Sequence, residues 1–437
     1  MKKNHVLSQK IWNRTAVVGV IGLGYVGLPL ACAAAKAGFS VMGFDVQPEK
    51  AAKVNRGESY IGDVDHNELK QVVSDKKLTA TSCFDELRRT DIAVICVPTP
   101  LDTHHQPDLS YVKGSSEDIA LRLHRDMLVI LESTTYPGTT QELVCPILEK
   151  SGLREGEDFF LSFSPERVDP GNSVYHTDNT PKVVGGMEKE SGRLTSLFYR
   201  QILKGGIVSV SSPMTAEMEK LLENTYRHVN IALINEMSML CDRMGIDIWE
   251  VIHAASTKPY GFQAFYPGPG LGGHCIPLDP FYLSWKAREY GFHTRLIETS
   301  GEINAGMPGY VVERLSRELN KRGKPVKGCR ILLLGMSYKA DIGDTRESPS
   351  LKVWQLLKQA GAELCYYDPY VPSVVIGGET VTGLKACTPQ DLAALDAAVL
   401  CTAHRCFDGD MICRYCPLVF DTRNGFAGIH SKQKICL

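Results

Sequence analysis

The segment GPGLGGHCIPLDP, residues 268 to 280, places a cysteine among the glycines and prolines of a loop. Its glycines, at 268, 270, 272 and 273, allow the backbone to lie against a ligand and leave Cys275 without bulky neighbours. An accessible thiol of this kind can act as a nucleophile, whereas most structural cysteines lie within apolar strands or helices. From the spacing alone, Cys275 is consistent with either role.

Asp279, four residues after Cys275, also allows two interpretations. It precedes Pro280 and the helical segment FYLSWKAREY, with Gly291 beyond, which is the arrangement of an N-cap, a first-turn proline and a C-terminal glycine. A carboxylate here could equally take part in proton transfer. The two roles are compatible.

A second chemical pattern lies near the start of the chain. Gly22, Gly24 and Gly27 form GLGYVG, which matches the GxGxxG turn that brings a pyrophosphate close to the amides of a helix N-terminus. Asp45 lies 23 residues after Gly22, where a carboxylate can accept hydrogen bonds from an adenosine ribose and repel a 2′-phosphate. The pattern predicts NAD; a purely structural turn and FAD are the alternatives.

The elements that must position these groups alternate between strands and helices. Apolar runs at 16–21, 41–44, 92–97, 128–131 and 159–163 predict strands, and residues 28–37 predict a helix. Because this alternation is typical of parallel sheets, we expect about the first 200 residues to form a doubly wound domain. After residue 328, the runs CRILLLG, AELCYYD, AAVLC and LVF, with the helical LKVWQLLKQAG, predict a second α/β domain.

Between the two domains, residues 215–245 have apolar side chains at helical spacing and end at a glycine. A helix of about 30 residues spans about 45 Å, more than one small domain needs. It can connect domains, pack against a partner subunit, or do both. The predicted fold class is therefore α/β, with two doubly wound Rossmann-like domains joined by a long central helix and a helical segment.

Composition excludes several classes of function. The chain has 437 residues, 43% of them hydrophobic, and a net charge of −2, so no overall field would attract nucleic acid or anionic lipid. No apolar run approaches the ~20 residues of a membrane-spanning helix, and MKKNHVLSQKIWNRT lacks the apolar core of a signal peptide. We therefore expect a cytoplasmic protein that does not bind membranes or nucleic acid.

The 14 cysteines are scattered without secretory features, which favours reduced, mostly buried thiols. His404, Cys406, Cys413 and Cys416 form one cluster in the sequence, with a lone CxxC. A zinc site normally has a second tight pair, so no metal is predicted.

Five segments in order along the chain resemble the nucleotide-sugar 6-dehydrogenases: GLGYVGLPLA, FSPER at 163–167, the helix with Lys220 and Asn224, GPGLGGHCIPLDP, and YKADIGDTRES at 338–348. Within that superfamily of UDP-glucose and GDP-mannose dehydrogenases, FYPGPGLGGHCIPLDPFYLSWKAREYG is most similar to UDP-N-acetylglucosamine 6-dehydrogenases. The UDP-glucose enzymes typically have lysine where this chain has Leu278, and an aromatic or aliphatic residue where it has Arg167. UDP-N-acetylmannosamine and UDP-glucose remain alternative substrates.

The resemblance implies three domains and a four-electron reaction. The domains would be an NAD-binding domain at 1–212, a helical dimerisation and catalytic domain at 213–318, and a UDP-binding α/β domain at 319–437. The reaction oxidises the C6 alcohol of the sugar to a carboxylate, with two NAD molecules reduced in succession, through a thiohemiacetal and a thioester on Cys275. A homodimer or higher homo-oligomer is expected.

The resemblance also assigns roles to residues of this chain. The catalytic residues would be Cys275, Lys220, Asn224, Asp279, Thr134 and Glu166. The NAD contacts would be Gly22, Gly24, Tyr25, Val26, Gly27, Asp45, Lys50, Thr99, Thr134 and Arg346. The UDP-sugar contacts would be Glu166, Arg167, Lys220, Asn224, Lys258, Tyr266, Gly270, Lys339 and Arg423, with Lys258 a candidate from the second subunit.

Two other functions use related parts. A two-electron β-hydroxyacid dehydrogenase would share the NAD domain and a helix with a catalytic lysine but would not need Cys275 or a second α/β domain. A catalytically silent nucleotide-sugar-binding regulator would keep the binding folds, but Cys275, Lys220, Asn224 and Asp279 are all present. Without the resemblance, Lys220 and Asn224 would be read as part of a solvated polar stripe.

Overall fold

A computed structural model describes residues 5–62, 64–102, 106–168 and 174–437. The loop that begins at FSPER is therefore described only as far as Val168. The chain divides into two compact units, one formed by residues 1–223 and 281–292 and the other by 224–280 and 293–437.

The first unit is built on an eight-stranded sheet. Its strands are β1 (Val17–Ile21), β2 (Ser40–Phe44), β3 (Leu78–Thr81), β4 (Ile92–Ile95), β5 (Leu128–Leu131), β6 (Phe160–Phe163), β7 (Lys182–Gly186) and β8 (Ile207–Val210). Their order is β3-β2-β1-β4-β5-β6-β7-β8, and all neighbours are parallel except β6 and β7. The first six strands follow the Rossmann order, which reverses between β1 and β4.

Both faces of this sheet are buried. Ile92 and Val94 of β4 belong to one apolar cluster, and the alternate residues Ala93 and Ile95 belong to the other. The covering helices are α1 (His5–Trp12), α2 (Gly27–Lys36), α3 (Pro48–Asn55), α4 (His66–Ser74), α5 (Ser110–Ala120), α6 (Cys145–Glu149) and α7 (Lys189–Ile202). Short apolar strands of this kind are typical of a parallel sheet covered on both sides.

Four helices follow: α8 (Pro213–Met244), α9 (Ile248–Ser256), α10 (Asp279–Ala287) and α11 (Arg295–Lys321). Helix α8 has 32 residues and is followed by Gly245 in the left-handed region, with φ of 71°, so the prediction of a long helix ending at this glycine is confirmed. Helix α11, with 27 residues, was not predicted individually, because Gly301, Gly306, Pro308 and Gly309 resemble helix breakers. Its buried Met307, Val311, Leu315 and Leu319 explain why it forms.

The second unit contains a parallel five-stranded sheet. The remaining strands of the chain are β9 (Arg330–Leu334), β10 (Glu363–Tyr367), β11 (Ser373–Ile376), β12 (Glu379–Thr382), β13 (Ala397–Leu400), β14 (Val419–Asp421) and β15 (Lys434–Cys436). The sheet order is β10-β9-β13-β14-β15, which is the 2-1-3-4-5 order of a doubly wound domain, and β11 and β12 form a separate antiparallel hairpin. The remaining helices are α12 (Pro349–Gln359), α13 (Pro389–Ala393) and α14 (Gly409–Tyr415).

These features confirm the predicted fold class. Two doubly wound sheets are present, and the strands that were predicted begin or end within one or two residues of the predicted runs, whereas β3, β7, β8 and β15 were not predicted. In the described part of the chain, no helix combines the length and the apolar character needed to cross a membrane.

Candidate active site

The glycines of GLGYVG each meet a different steric requirement. Gly22 has φ of 90°, and a Cβ there would lie 2.6 Å from the carbonyl oxygen of Cys96. A Cβ on Gly27 would lie 1.9 Å from the oxygen of Gly22. A Cβ on Gly24 would meet no atom within 4 Å, so there is open space beside the helix N-terminus. No side chain caps α2 at Val26, which leaves the N-terminus of this helix open to a phosphate.

Asp45 lies at the end of β2, next to this turn. Its buried carboxylate accepts hydrogen bonds from the backbone N–H of Leu23 at 3.1 Å and of Gln47 at 3.0 Å. Lys50 lies 3.5 Å from the same carboxylate, and Tyr25 is exposed on the turn. This donor and acceptor set suits the ribose and phosphates of NAD, so the residues fit the cofactor.

The carboxyl ends of β4 and β5 bring Thr99 and Thr134 together. The Thr99 hydroxyl donates to the Thr134 carbonyl at 2.7 Å, and the Tyr282 hydroxyl of α10 donates to the Thr99 carbonyl. Thr134 remains partly exposed. These residues lie at the edge of the sheet where the strand order reverses, which is where doubly wound domains bind ligands.

A buried group of charges lies beneath the same edge; of its members, Glu166 was predicted from the sequence, and Lys182, Glu132 and Tyr199 were missed. Lys182 of β7 contacts Glu132 at 2.6 Å and Glu166 at 3.0 Å, and the Tyr199 hydroxyl donates to Glu132 at 2.6 Å. Glu166 also accepts from the backbone N–H of Val168 at 2.8 Å. Burial opposes ionisation of Glu166, but Lys182 and these hydrogen bonds outweigh it, and the pKa of Glu166 is lowered.

Lys220 lies on α8 with only 7% of its surface exposed. Its charge contributes to the lowered pKa of Glu166. One turn earlier, the buried Glu217 accepts from the backbone N–H of Gly138 at 2.6 Å and of Thr140 at 2.9 Å, which ties α8 to the loop after β5. Because Lys220 and Asn224 are both buried, the interpretation as a solvated stripe is wrong.

Arg167 is engaged by two carboxylates of α8. It is paired with Glu223 and lies 3.5 Å from Glu219, and its Nη1 donates to the Pro181 carbonyl at 2.9 Å. Burial and the neighbouring Glu223 raise the pKa of Glu219 to about 7. The guanidinium therefore organises the FSPER loop against α8 within the first unit.

Cys275 is exposed in the second unit, at the start of the turn that leads into α10. The Asp279 N–H donates to the Cys275 carbonyl at 2.8 Å, and the Asp279 carboxylate accepts from the Asn224 amide at 2.5 Å. Helix α10 begins at Asp279 itself. Asp279 is therefore the first residue of the helix, one position after the N-cap that the sequence predicted it to be. These two hydrogen bonds, through the main chain and the side chain of Asp279, hold the turn. The thiol of Cys275 is exposed to solvent.

The glycines of this loop serve a purpose that the sequence did not indicate. A Cβ on Gly272 would lie 2.6 Å from the Cβ of Tyr338, and one on Gly268 would lie 2.3 Å from Nη1 of Arg423. Gly270 has φ of 130° and Gly273 has φ of 85°. In the structure these glycines allow the loop to pack closely against other protein atoms. The sequence pattern had predicted that they allow a ligand to approach the backbone.

Arg423 follows β14 and is largely buried. Its Nε donates to the Cys401 carbonyl at 3.0 Å, and burial lowers the pKa of its guanidinium. No carboxylate within the described ranges pairs with this side chain. A cation placed in this way suits a diphosphate, because the anion would supply the missing counter-charge.

Lys339 lies in the loop after β9, close to where the order of the second sheet reverses. The Ser337 hydroxyl donates to the Lys339 carbonyl at 2.9 Å, and His404 Nδ1 accepts from the Asp341 N–H at 2.9 Å. The other ring nitrogen of His404 therefore donates to Asp368, 3.1 Å away. These bonds fix the loop that carries Lys339.

The remaining predicted residues lie at separate positions in the second unit. Arg346 pairs with Asp344 at 2.6 Å, and its carbonyl accepts from the Gly273 N–H. Tyr266 stacks on Trp249, and the exposed Lys258 lies over the ring of Tyr260.

The cysteine-rich segment shows no metal centre in the part of the chain that the structure describes. Cys413 and Cys416 are buried in an apolar cluster, and His404 is engaged as above.

Comparisons with known proteins match most of the chain, in both units. Family models of UDP-glucose/GDP-mannose dehydrogenases match residues 16–203 as the NAD binding domain, 214–306 as the central domain and 332–427 as the UDP binding domain. A UDP-N-acetyl-D-glucosamine 6-dehydrogenase from Pseudomonas aeruginosa is 39% identical over 388 residues, covering 89% of this chain and 90% of that protein. A UDP-N-acetyl-D-mannosamine dehydrogenase from Pyrococcus horikoshii is 38% identical over 390 residues, covering 89% of each. The solved structure of a UDP-D-ManNAc dehydrogenase from Pyrococcus horikoshii superposes with a TM-score of 0.87 at 34% identity, covering 96% of this chain and 98% of that one.

Proposed function

Because the chain belongs to the UDP-glucose/GDP-mannose dehydrogenase family and is an NAD-dependent UDP-sugar 6-dehydrogenase, we propose that it oxidises the C6 alcohol of UDP-N-acetylglucosamine to the uronic acid. The observation that carries the mechanism is the exposed Cys275 thiol in a turn fixed by Asp279 and Asn224.

The cofactor supplies one kind of chemistry: when bound, NAD accepts a hydride from C6 in each of the two oxidations. The GLGYVG turn would hold its pyrophosphate, and Asp45 and Lys50 would hold its adenosine ribose. Thr99 and Thr134 would line its nicotinamide end. Arg346 is proposed as a further contact.

The first oxidation removes a proton and a hydride from the C6 alcohol. Lys220 and Asn224 would donate hydrogen bonds to the C6 oxygen as it gains negative charge. Asp279 or Lys220 would accept the proton. The product is an aldehyde.

The second oxidation requires a tetrahedral carbon that still carries hydrogen. The Cys275 thiolate would add to the aldehyde and form a C–S bond, giving a thiohemiacetal whose C–H bond can lose a second hydride. Loss of that hydride and of the hydroxyl proton gives a thioester. Serine at this position would form a less reactive ester and is a weaker nucleophile near neutral pH.

Hydrolysis completes the cycle. Water attacks the thioester carbonyl, the C–S bond breaks, and the thiolate of Cys275 is restored. The lowered pKa of Glu166 keeps its carboxylate ionised, so this residue would accept the proton from water.

The UDP portion would be bound by the second unit. Arg423 and Lys339 would oppose the diphosphate, and Tyr266 and Gly270 would line the nucleotide, with Lys258 donated by a second subunit. Arg167 would contact the acetamido sugar only through its main chain or after its carboxylate partners are displaced, since both engage the guanidinium in this structure.

A homodimer is the assembly that we propose. Six large apolar side chains of α8 are between 47% and 63% exposed, which is unusual for a helix that faces only water. They are Met218, Leu222, Tyr226, Leu233, Leu240 and Met244. We further propose a cytoplasmic enzyme that supplies uronic acids for capsule or other surface polysaccharides.

UDP-N-acetylmannosamine is a second candidate substrate, and it is favoured by the TM-score of 0.87 to a dehydrogenase named for that sugar. The test is a count of NADH per sugar with UDP-glucose, UDP-N-acetylglucosamine and UDP-N-acetylmannosamine side by side. Two NADH per UDP-N-acetylglucosamine, with the highest kcat/KM of the three, would support the proposal. One NADH would indicate a two-electron dehydrogenase, and none with any sugar would indicate a binding protein.

A further inference from the structure

We propose that Lys182 is a positioning residue that holds Glu166 as an ionised base for thioester hydrolysis, with Glu132 as its opposing partner. This inference rests on the proposed function, because the role of Glu166 in hydrolysis comes from there. Lys182 itself has no assigned part in the chemistry.

The contacts place Lys182 between the two carboxylates. Its Nζ lies 3.0 Å from Glu166 and 2.6 Å from Glu132, and its side chain is only 6% exposed. Glu132 is held from the other side by the Tyr199 hydroxyl at 2.6 Å. Lys182 is the first residue of strand β7, which fixes its backbone and so limits how far the ammonium can move from the two carboxylates.

The number of charges in this buried group makes the ionisation of its carboxylates sensitive to the loss of Lys182. Two carboxylates and one ammonium leave the buried group with one net negative charge, and a buried carboxylate without its cation takes up a proton. Burial raises the pKa of Glu132 even though Lys182 opposes this shift, whereas the pKa of Glu166 is lowered. The ammonium is therefore the group that keeps Glu166 ionised.

The titratable groups that face Glu166 come from the strands, the helices and the FSPER loop. On the strands they are Lys182, Glu132 and Cys96, and on the helices and the loop they are Tyr199, Lys220 and Arg167. The Cys96 thiol and the Tyr199 hydroxyl both have raised pKa values through burial and remain neutral. Lys220 and Arg167 also act on Glu166, and the Arg167 backbone N–H donates to its carboxylate at 2.9 Å, but within the described ranges Lys182 is the cationic side chain that pairs with it.

The test measures the titration of Glu166 directly. Protein carrying ¹³C-labelled glutamate carboxyls is titrated by NMR, and the Glu166 signal is identified by its loss in E166Q. In K182M we expect the Glu166 pKa to rise by about one unit or more, and in E132Q, which removes a neighbouring negative charge, we expect it to fall. The acidic limb of the pH profile for acid formation should move in the same two directions. K182R should stay close to wild type.

A matched control is K286M. Lys286 is also 6% exposed and also bridges two glutamates, Glu142 and Glu289, but none of these contacts Glu166. Its loss should leave the Glu166 titration unchanged. If K182M fails to fold, the K182M/E132Q variant removes the cation and the excess carboxylate together, and the Glu166 pKa should still lie above that of wild type.

The role of Lys182 and the proposed function fail on different measurements. A Glu166 signal that does not move in folded K182M, or that moves in the same direction in K182M and E132Q, overturns the role of Lys182. If wild type forms no acid from any UDP-sugar, the proposed function fails, and the titration still reports on Lys182.

Discussion

The side-chain amide of Asn224 donates a hydrogen bond of 2.5 Å to the carboxylate of Asp279, and both residues are buried. The bond joins the long helix α8 to the first residue of α10, four residues after the exposed Cys275. The geometry around the thiol therefore depends on an amide that also has a proposed role in binding the C6 oxygen.

We expect N224A to lower kcat by about 10²- to 10³-fold with a smaller change in KM, because the lost donor acts on charge that develops during the reaction. Steady-state kinetics with NADH detection checks this. N230A is the control, because Asn230 lies on the same helix and its side-chain amide donates to the Tyr226 carbonyl. An equal loss in both variants would mean that helix damage, not the amide, causes the effect.

Replacement of Cys275 by serine should reduce acid formation by at least about 10³-fold, since the hydroxyl is a poor nucleophile for the aldehyde. Product analysis by mass spectrometry separates acid from unreacted sugar. C83S, which changes an exposed thiol in the first unit, should retain wild-type activity. A normal yield of acid from C275S would refute the covalent mechanism.

Removing the Asp45 carboxylate should weaken NAD binding about 10- to 100-fold, because a charge-assisted hydrogen bond to the ribose is lost. Calorimetry with NAD and NADP measures the affinity of D45A, and its preference for NAD over NADP should shrink. D75N, at the end of α4, is a control in the same domain. Unchanged selectivity in D45A would show that another group reads the ribose.

Gly268 leaves no room for a methyl group, since its Cβ would lie 2.3 Å from Nη1 of Arg423. G268A should therefore displace the guanidinium and raise the Kd for UDP at least about tenfold while leaving NAD binding intact. Binding of the two nucleotides is measured separately. G306A, in α11 where a Cβ meets nothing within 4 Å, should bind UDP normally.

Glu219 makes the stability of the protein depend on pH, and the direction of its pKa shift decides whether stability rises or falls with pH. Its pKa is raised in the folded protein from its ordinary value of 4.5 to about 7, so its stabilising contribution is fully present below the unfolded pKa and is lost as pH rises through about 7. Glutamine at this position does not titrate. The Tm of E219Q relative to wild type should therefore increase between about pH 5 and pH 8.

Glu223 is the opposite case, because burial raises its pKa but Arg167 outweighs burial and the pKa is lowered. The contribution of Glu223 to stability is therefore lost only as pH falls below the ordinary range of a carboxyl, and E223Q removes it. Calorimetric scans of both variants across pH check the pair. A constant Tm difference for E219Q over this range would contradict the raised pKa.

The features predictable from the sequence are those encoded by neighbouring residues. The strand, GLGYVG turn, helix and Asp45 lie within 30 residues of one another, and the structure places them as expected. The exposed thiol of Cys275 also followed from its glycine-rich surroundings, although the glycines themselves pack against Tyr338 and Arg423.

The features that were missed depend on residues far apart in the chain. Lys182 meets Glu132 and Glu166 from positions 50 and 16 residues away, and strand β7, which it begins, was not predicted from the sequence. The pairing of Arg167 with Glu219 and Glu223 spans more than 50 residues and likewise leaves no local pattern. Helix α11 was obscured by its own glycines and proline, because its stability comes from a buried face that local propensity does not report.

The hydrogen bonds that Asp45 already makes within the protein bear on how often the dinucleotide can be replaced. Its carboxylate already accepts hydrogen bonds from Leu23 and Gln47 before any nucleotide arrives, so an incoming ribose shares the acceptor oxygens with these donors, and its hydrogen bond is weaker than one to an unshared carboxylate. Under the proposed mechanism, moderate retention of NAD is an advantage, because one reduced cofactor must leave and a fresh one must bind while the half-oxidised sugar is still held at the site. Very tight binding of the adenosine would slow release of the reduced cofactor and delay the second oxidation in each cycle.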